Sequence, residues 1–513
     1  MLRYLVTYFL FFYSLVCLGQ ISSQSKKITN KYFPNPEIDI NTPAFKKKKG
    51  YTNHEEMMEY LTRYSEAFPN ICSIDFVGES QKGKPIPRFR LTGKTRNRKV
   101  KVWIQGGLHG DEPAGTESIF YLIDQLLNDS IHLLNHLDIS IVPMANIDGY
   151  ESHDRYAANG LDLNRDQTKL MAKESVSLKQ AFSDFGPHVA LDLHEYRPYR
   201  RDFTLLGDYG VTNYYDVMFL YSGNLNVSSK IREFTQSAFV QPAVQVLHHF
   251  QYNSHDYFST QKVHGEVQFK QGSNNSRSSA TSFALSNCIS SLIEIRGVGI
   301  GKTSFKRRVH SAYLVSMSYL TSAYENRYTL FKMLSFNEQE KLRDSVIVES
   351  VPKKIVQDIK MIDVYTTDLI NISAKTNDAL RSSSTHSRPT PAAYIIPKTQ
   401  KYLVDKLQVL GLHVDELSKD EKLEVDAYYV NELEREDFKY EGVFRQYVKT
   451  QTDMIIKDFE MGDYIISMNQ KNSALAIEVL EPEAPNSFIS FGLIKTELNH
   501  ELPIYRYYEK NAF

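Results

Sequence analysis

The sequence lacks an excess of charge of either sign. Its 513 residues include 60 lysines and arginines against 61 aspartates and glutamates, for a net charge of −1. This balance argues against a polybasic nucleic-acid-binding protein and against a protein with an acidic tail. The hydrophobic share of 42% and the charged share of 24% are typical of a globular chain, which argues against disordered and fibrous classes.

Cysteines are also scarce. The three are Cys17, Cys72 and Cys288, too few for a disulfide scaffold, and no two of them form a Cys-x-x-Cys pair. A thiolate metal site and thioredoxin-like chemistry are therefore disfavoured. Cys72 and Cys288 could pair with each other or stay buried as free thiols, because the sequence fixes no distance between them.

Long apolar runs are absent after the first segment. Residues 4–18 are apolar, follow Arg3 and end before Gly19, a pattern typical of a secretory signal peptide. The run is shorter than the roughly 20 residues of a membrane span, so we expect cleavage after Gly19 rather than an anchor. Lipid attachment at Cys17 is a lesser alternative. The sequence predicts a secreted or periplasmic protein with no stable membrane span after signal removal.

Short apolar strands alternate with helices in the first two thirds of the chain. This alternation predicts an α/β fold with a mixed, mainly parallel sheet flanked by helices. Polar residues that follow such strands gather at the carboxyl edge of the sheet, where function is concentrated. Strands are predicted at 71–78, 85–92, 100–105, 137–144, 188–193 and 289–295, and helices at 54–68 and 113–127.

A histidine and a glutamate follow the strand at 100–105. His109 and Glu112 are three residues apart at a loop-to-helix junction, with glycines on both sides of His109. This spacing lets an imidazole and a carboxylate reach one ion, which suits zinc. An isolated His-x-x-Glu is usually a pair of exposed surface residues. Here the glycine-rich setting between a strand and a helix favours a metal site instead.

His194 follows the strand at 188–193 and is a candidate third ligand. The alternative is a histidine satisfied in the core or at the surface. Two histidines and one glutamate leave a fourth position for water, which is the open pattern of catalytic rather than structural zinc.

A turn-rich loop between these motifs carries two arginines. Arg165 offers a planar fork for a carboxylate and Asn164 adds a donor, while Arg155 could stabilise an oxyanion. Asp162 could accept a hydrogen bond from a ligand imidazole. Each of the four could instead be a solvated loop residue.

Glu294 lies inside an apolar strand, on the same side as Leu292 by strand alternation. A buried carboxylate is costly without a partner or a task. General base toward a zinc-activated water is such a task. The alternative is a structural ion pair with Arg296 or Arg277.

Together these motifs resemble the M14 family of zinc carboxypeptidases. They occur in the family's order, between about residues 50 and 330. The matching pieces are HGDE at 109–112, NIDGYE at 146–151, NGLDLNRD at 159–166, DLHE at 192–195 and LIEIRG at 292–297.

The resemblance implies an enzyme that hydrolyses the C-terminal peptide bond of peptides or proteins and binds no nucleic acid. It implies one Zn²⁺ per chain. The implied roles are metal ligation for His109, Glu112 and His194, binding of the terminal carboxylate for Asn164 and Arg165, carbonyl polarisation for Arg155, general acid–base catalysis for Glu294, and support of His109 for Asp162.

Two other functions share this layout. A related zinc amide hydrolase would act on N-acyl amino acids or cell-wall peptides, although NIDGYE and the strand before Glu294 favour the peptidase. A non-enzymatic peptide-binding protein would keep the fold, but here every ligand and base position is filled.

The chain departs from the family in two places. Members usually carry a mobile tyrosine about twenty residues before the catalytic glutamate, and residues 265–291 contain none, so Tyr257 could serve only on a longer loop. The residue that sets side-chain preference cannot be aligned through 270–280.

The tail also lies outside the family's core. Residues 381–391 are rich in serine, threonine and proline, which indicates a linker. TPAAYIIP and HELPIYRYY look like the extra domain of secreted bacterial relatives. The predicted division is a signal peptide at 1–19, a catalytic domain at 20–335, a connecting segment and linker at 336–390, and a smaller α+β or β-rich accessory domain at 391–513.

Overall fold

The computed structural model describes residues 24–339 and 344–509. The predicted signal peptide, its cleavage site and Cys17 lie outside these residues. The helices α1 to α12 are, in chain order, Lys26–Tyr32, His54–Ala67, Pro113–Asp129, Ile147–Ser152, Lys173–Phe185, Ser229–Thr235, Gln241–His249, Ser279–Leu285, Phe305–Glu325, Arg327–Gln339, Lys401–Val409 and Ser473–Leu480.

Strands β1 to β19 form three sheets. They are, in chain order, Cys72–Glu79, Pro85–Thr92, Val100–Gly106, Leu137–Val142, Val189–Tyr196, Val211–Asn213, Val217–Tyr221, Ser254–Asp256, Phe258–Val263, Glu266–Gln271, Ile289–Arg296, Ser345–Asp363, Leu369–Pro389, Ala393–Ile396, Asp415–Glu416, Glu421–Arg435, Gln446–Phe459, Tyr464–Ser467 and Glu501–Tyr507.

The first sheet has eight strands in the order β1-β2-β4-β3-β5-β11-β7-β8. Its middle strands β4, β3, β5 and β11 are parallel to one another. The pairs β1–β2, β2–β4 and β11–β7 are antiparallel, and β8 runs parallel to β7. Strand β5 is buried along its whole length, as expected of a strand covered on both faces. Helix α3 packs on β5 and against α9, and α8 packs on β5 and β11. The predicted mixed α/β class is confirmed.

The second sheet corrects one sequence-based interpretation. Strands β12 and β13 form a long antiparallel hairpin that joins β6 on one side and β10 on the other. The predicted linker at 381–391 is therefore wrong as far as Pro389, which ends β13. Its serines pair with the start of β12, for example Ser383 with Val351. Strand formation depends on such cross-strand neighbours, which composition does not reveal.

The third sheet lies in the C-terminal region. Its six strands follow the order β15-β18-β14-β19-β16-β17, and neighbours pair antiparallel. Buried residues of this region, among them Tyr428 and Phe488, belong to the same apolar cluster as Ile104 of β3 and Leu191 of β5. The C-terminal region therefore shares part of its core with the first sheet, which is consistent with the predicted β-rich character of the tail.

Cys72 and Cys288 are both buried and free, so the paired alternative is not realised. Burial raises the pKa of each thiol to about 12, which keeps both protonated at neutral pH. None of the helices within residues 24–339 and 344–509 is long and apolar enough to cross a membrane.

Candidate metal centre and catalytic site

Three parallel neighbours, β3, β5 and β11, bring the candidate residues to one edge of the first sheet. His109 and Glu112 lie in the loop between β3 and α3, His194 is near the end of β5, and Glu294 is near the end of β11. In the register of β5 and β11, Glu294 pairs directly with His194. The sheet therefore brings together residues that are up to 185 positions apart in the sequence, from His109 to Glu294.

A glycine lets the first ligand loop pack closely. A Cβ on Gly110 would come within 2.0 Å of the Gly149 carbonyl carbon, so no other residue fits there without displacing backbone. The loop that carries His109 therefore packs directly against α4. The segment that contains Arg155 and Asp162 follows α4 in the chain.

His109, Glu112 and His194 form a compact group that could hold a metal ion. Their ligand atoms all lie within 4.8 Å of one another, and the three residues are 3%, 1% and 1% exposed. Glu112 Oε1 lies 2.7 Å from His109 Nδ1, and Glu112 Oε2 lies 2.8 Å from His194 Nδ1. The two Nδ1 atoms are 3.0 Å apart. Two imidazole nitrogens and one carboxylate that converge in this way match the donor set of zinc.

Each imidazole also contacts a carboxylate through its other nitrogen. His109 Nε2 lies 3.1 Å from Asp162 Oδ1. His194 Nε2 lies 2.9 Å from Asp192 Oδ2, a close ionic contact whose angle falls short of a hydrogen bond. Carboxylates in these positions orient imidazole ligands and make them more basic. Although burial disfavours the imidazolium, Asp192 and Glu112 raise the pKa of His194, and Glu112 and Asp162 raise that of His109.

Arg155 connects Asp162 to the same group. Its Nε and Nη2 donate to Asp162 Oδ2 at 3.0 and 2.8 Å. Its remaining nitrogen, Nη1, lies 3.2 Å from His109 Nδ1 and 3.5 Å from Glu112 Oε1. Despite burial, His109 and Arg155 hold the pKa of Asp162 far below its usual value. Asp162 therefore fixes the guanidinium so that one N–H edge faces the candidate metal ligands.

Asn164 and Arg165 lie on a short 3₁₀ turn, Leu163–Arg165, directly after Asp162. Asn164 N–H donates to Asp162 Oδ1 at 2.8 Å, and Asn164 Oδ1 accepts from the Ser279 N–H at 2.8 Å. Arg165 Nη1 donates to the Asn164 carbonyl at 2.8 Å. Within the described residues, Arg165 forms no ion pair, so its guanidinium has no carboxylate partner at ion-pair distance.

Glu294 is half-buried and accepts no hydrogen bond from a described group. Burial and the neighbouring Glu112 carboxylate raise its pKa to about 7. The alternative of an ion pair with Arg296 or Arg277 is not seen. Instead, Arg296 Nε donates to Gln24 at 3.0 Å and the guanidinium lies over the Phe33 ring.

Sequence reasoning missed Asp192 and undervalued Tyr257. Asp192 precedes His194 by two residues on β5, and strand alternation alone places both on one face. Tyr257, between β8 and β9, packs beside Leu292, and its pKa is raised by burial and by the nearby Glu294 carboxylate. No pattern in the sequence predicted that the segment between β8 and β9 would place Tyr257 near Glu294.

Comparisons with known proteins find similarity to carboxypeptidases. Residues 57–190 match the family model for zinc carboxypeptidases. The chain is 27% identical over 474 residues to carboxypeptidase 2 of Trichophyton rubrum, a match that covers 89% of this chain and 87% of the relative. A match of that length extends well into the residues after 335.

Solved structures with a similar fold include several carboxypeptidases, among them the following two. A metallo-carboxypeptidase from Burkholderia cenocepacia has 17% identity and a TM-score of 0.42, and covers 54% of this chain and 69% of that one. Carboxypeptidase A from Helicoverpa armigera has 18% identity and a TM-score of 0.41, and covers 53% and 73%.

Residues 57–190, which include His109 and Glu112, therefore carry a zinc carboxypeptidase domain of the M14 family. The listed relatives that match most of the chain are carboxypeptidases.

Proposed function

We propose that the chain is a secreted enzyme that removes the C-terminal residue of peptides or proteins, with one Zn²⁺ held by His109, Glu112 and His194. The observation that carries this proposal is the convergence of these three residues with Glu294 at the carboxyl ends of β3, β5 and β11. A zinc ion at this position would polarise a carbonyl oxygen and increase the acidity of a water molecule.

Arg165 and Asn164 bind the terminal carboxylate in this proposal. The Arg165 guanidinium has no ion-pair partner among the described residues, and a planar fork suits a carboxylate. The hydrogen bond from Ser279 fixes the Asn164 amide, whose NH₂ group is then directed away from Ser279. A substrate without a free carboxylate would leave Arg165 unpaired.

Arg155 stabilises the negative charge that develops on the carbonyl oxygen. Asp162 occupies Nε and Nη2 of the guanidinium, so Nη1 remains available beside the metal ligands. A donor that is held in place before the reaction needs no reorganisation when charge develops, which is the main advantage of such sites.

Glu294 is the general base and then the general acid. It removes a proton from the attacking water and returns that proton to the leaving amine. A raised pKa and the lack of internal hydrogen bonds suit a carboxylate that must accept and release a proton. Glu294 is half-buried rather than enclosed, which leaves its carboxylate accessible to a water molecule.

We also propose a domain division for this secreted enzyme. We assign a signal peptide at 1–19, the catalytic domain at 20–335 and an accessory domain at 391–513. The extent of the match to carboxypeptidase 2 supports an accessory region that is shared with those relatives. The β12–β13 hairpin, which joins strands of the catalytic part, belongs with that part rather than with a linker.

The test compares one peptide with a free C-terminus and its C-terminal amide. The amide should lose about 1.5–3 kcal/mol of binding to Arg165, or roughly a 10- to 100-fold drop in kcat/KM. N-acyl amino acids serve as the substrates of the amide-hydrolase alternative. Equal rates on the free and amidated peptides, or faster cleavage of the N-acyl amino acids, would contradict the proposal.

Metal content is measured on the same preparations. His194→Ala should abolish both zinc binding and turnover. His413→Ala is the control, because His413 is exposed in the C-terminal region. It should keep one zinc per chain and full activity. Stoichiometric zinc in the His194→Ala protein would contradict the ligand assignment.

A further inference from the structure

Arg277 lies beside the segment that carries Arg165. The chain between β10 and α8 packs on that segment through two hydrogen bonds. The Ser279 N–H donates to Asn164 Oδ1 at 2.8 Å, and the Gln167 N–H donates to the Arg277 carbonyl at 3.3 Å. The two arginines therefore start from adjacent stretches of backbone.

Neither arginine is neutralised within the described residues. The Arg277 guanidinium lies 5.0 Å from the centre of the Tyr440 ring and forms no ion pair there. Burial, together with the Arg165 and Arg445 cations, lowers the pKa of Arg277. A half-buried cation beside a second cation is unfavourable unless an anion joins them.

Arg445 also contacts the Tyr440 ring but, unlike Arg277, forms an ion pair with a carboxylate. It lies 4.4 Å from the centre of Tyr440 on a strand-connecting loop, and its Nε donates to Glu436 Oε2 at 2.9 Å. Glu441, the other nearby carboxylate, accepts a backbone hydrogen bond from Asp162 at 3.0 Å. Neither of these carboxylates forms an ion pair with Arg165 or Arg277 among the described residues.

We propose that Arg277 binds the side-chain carboxylate of a C-terminal aspartate or glutamate while Arg165 binds the α-carboxylate. This proposal rests on the proposed function and names its substrate class. Two unpaired guanidinium groups match the two negative charges of such a residue. A neutral terminal side chain would leave Arg277 unpaired, and an arginine or lysine would add a third cation.

The test uses peptide pairs that differ only at the last residue, glutamate against glutamine and aspartate against asparagine, with the full chain. The acidic member should have a kcat/KM about 10- to 100-fold higher, which is the range of charged hydrogen bonds. In Arg277→Gln the ratio should fall toward one. In Arg445→Gln, the matched control at the same ring, the acidic preference should persist.

Binding without turnover gives a second readout. Calorimetry should show tighter binding of N-acetylglutamate than of N-acetylglutamine to the zinc-loaded protein, and Arg277→Gln should remove the difference. Equal kcat/KM for the glutamate and glutamine peptides, or an equal loss of the ratio in both arginine variants, would overturn the proposal. Failure to cleave any peptide with a free C-terminus would instead count against the proposed function.

An independent observation concerns Glu441 itself. Glu441 and Gly442 form a two-residue turn in which the Val443 N–H donates to the Tyr440 carbonyl at 3.1 Å. Their φ angles are 47° and 81°, so both are left-handed. Turns of this type favour asparagine or glycine at the first position, and glutamate there is strained.

The strained glutamate contacts the loop that orients the site. Glu441 Oε2 accepts from the Asp162 N–H at 3.0 Å, and the Glu441 carbonyl accepts from Lys169 Nζ at 2.9 Å. Lys169 is fully buried and lies 3.4 Å from Asp166. A turn of the C-terminal region is therefore attached at two points to the loop whose Asp162 holds His109 and Arg155.

We infer from this that Glu441 is a positioning residue for the catalytic loop, retained at the expense of turn stability. Glu441→Asn should relieve the strain and shorten the side chain beyond reach of Asp162. We expect an unchanged or higher melting temperature together with a kcat that falls about 3- to 10-fold, the range of one hydrogen bond.

The conservative variant separates positioning from folding. Glu441→Gln keeps an acceptor oxygen at the same reach and should restore most of kcat without changing KM. The inference is overturned if Glu441→Asn keeps the kcat of the unmodified chain, or if its activity falls only in proportion to the folded fraction.

Discussion

Two carboxylates, Glu294 in the first sheet and Glu481 in the C-terminal region, have opposite surroundings. Glu481 is fully buried and every side of it is occupied. Its Oε1 accepts from the Tyr394 hydroxyl at 2.6 Å, and its Oε2 accepts from the Tyr428 hydroxyl at 2.9 Å and from Arg388 Nη1 at 3.0 Å. Arg506 Nε lies 3.4 Å away. Glu294 accepts no hydrogen bond from a described group and has a second carboxylate, Glu112, as neighbour.

This difference shows how the two regions use buried charge. In the C-terminal region, two arginines and two phenols neutralise Glu481, so the group is closed to any ligand and contributes to packing. At the edge of the first sheet no described group donates to Glu294, and the Glu294 carboxylate lies beside a second carboxylate, Glu112. Such an arrangement is stable only if a cation or a proton joins it, and perturbed carboxylates of this kind mark functional sites.

The largest effect should follow from Glu294→Gln. Glutamine keeps the shape of the side chain and removes its basicity, so kcat should fall by about 10²–10⁴-fold. Zinc content and melting temperature should match the unmodified chain, because Glu294 has no described hydrogen bond to lose. Steady-state kinetics with metal analysis measures both. A zinc-loaded Gln variant with near-normal turnover would remove Glu294 from the reaction.

Glu481→Gln should produce the opposite result. It leaves Arg388 and Arg506 without their shared anion in the core, which should cost about 3–5 kcal/mol of unfolding free energy. The kcat per folded molecule should not change. Urea denaturation followed by kinetics on the folded fraction tests both. If the Glu481→Gln variant is as stable as the unmodified chain, Glu481 is not the structural carboxylate that the comparison with Glu294 requires.

The sequence was sufficient for six of the eight strands of the first sheet, all except β7 and β8, and for most of the candidate site. Strands β3, β5 and β11 are short apolar runs, and the polar residues that follow parallel neighbours must meet at one edge of the sheet. His109, Glu112, His194 and Glu294 are therefore close together for a reason that is readable in the sequence. Their roles remain proposals that the experiments above address.

Contacts distant in sequence could not be predicted. The contact between Asp162 and Glu441 joins residues 279 positions apart. No residue pattern in either segment predicts that the two segments are in contact. The stretch up to Pro389 was predicted as a linker because it is rich in serine, threonine and proline, yet pairing with β12 makes it a strand. Composition reports local preference, while strand pairing depends on neighbours supplied by the fold.

The smallest of these effects concerns Asp192, which was not singled out from the sequence. Its carboxylate is fully buried beside His194 Nε2, so it orients that imidazole toward Glu112 and favours a positive charge at the site. Asp192→Asn should weaken zinc binding about 10- to 100-fold, the usual effect of losing such a partner. At saturating zinc, turnover should recover most of its value.

Asp216→Asn is the matched control for that variant. Asp216 is also a buried aspartate, directly before β7 of the first sheet. It pairs with Arg307 at 2.6 and 3.0 Å and with none of the candidate metal ligands among the described residues. Its loss should lower the melting temperature and leave zinc affinity intact. Competition with a chromogenic chelator measures the affinity of both variants. If Asp192→Asn binds zinc as tightly as Asp216→Asn does, the Asp192 carboxylate is a packing group like Glu481 and does not support the metal ligands.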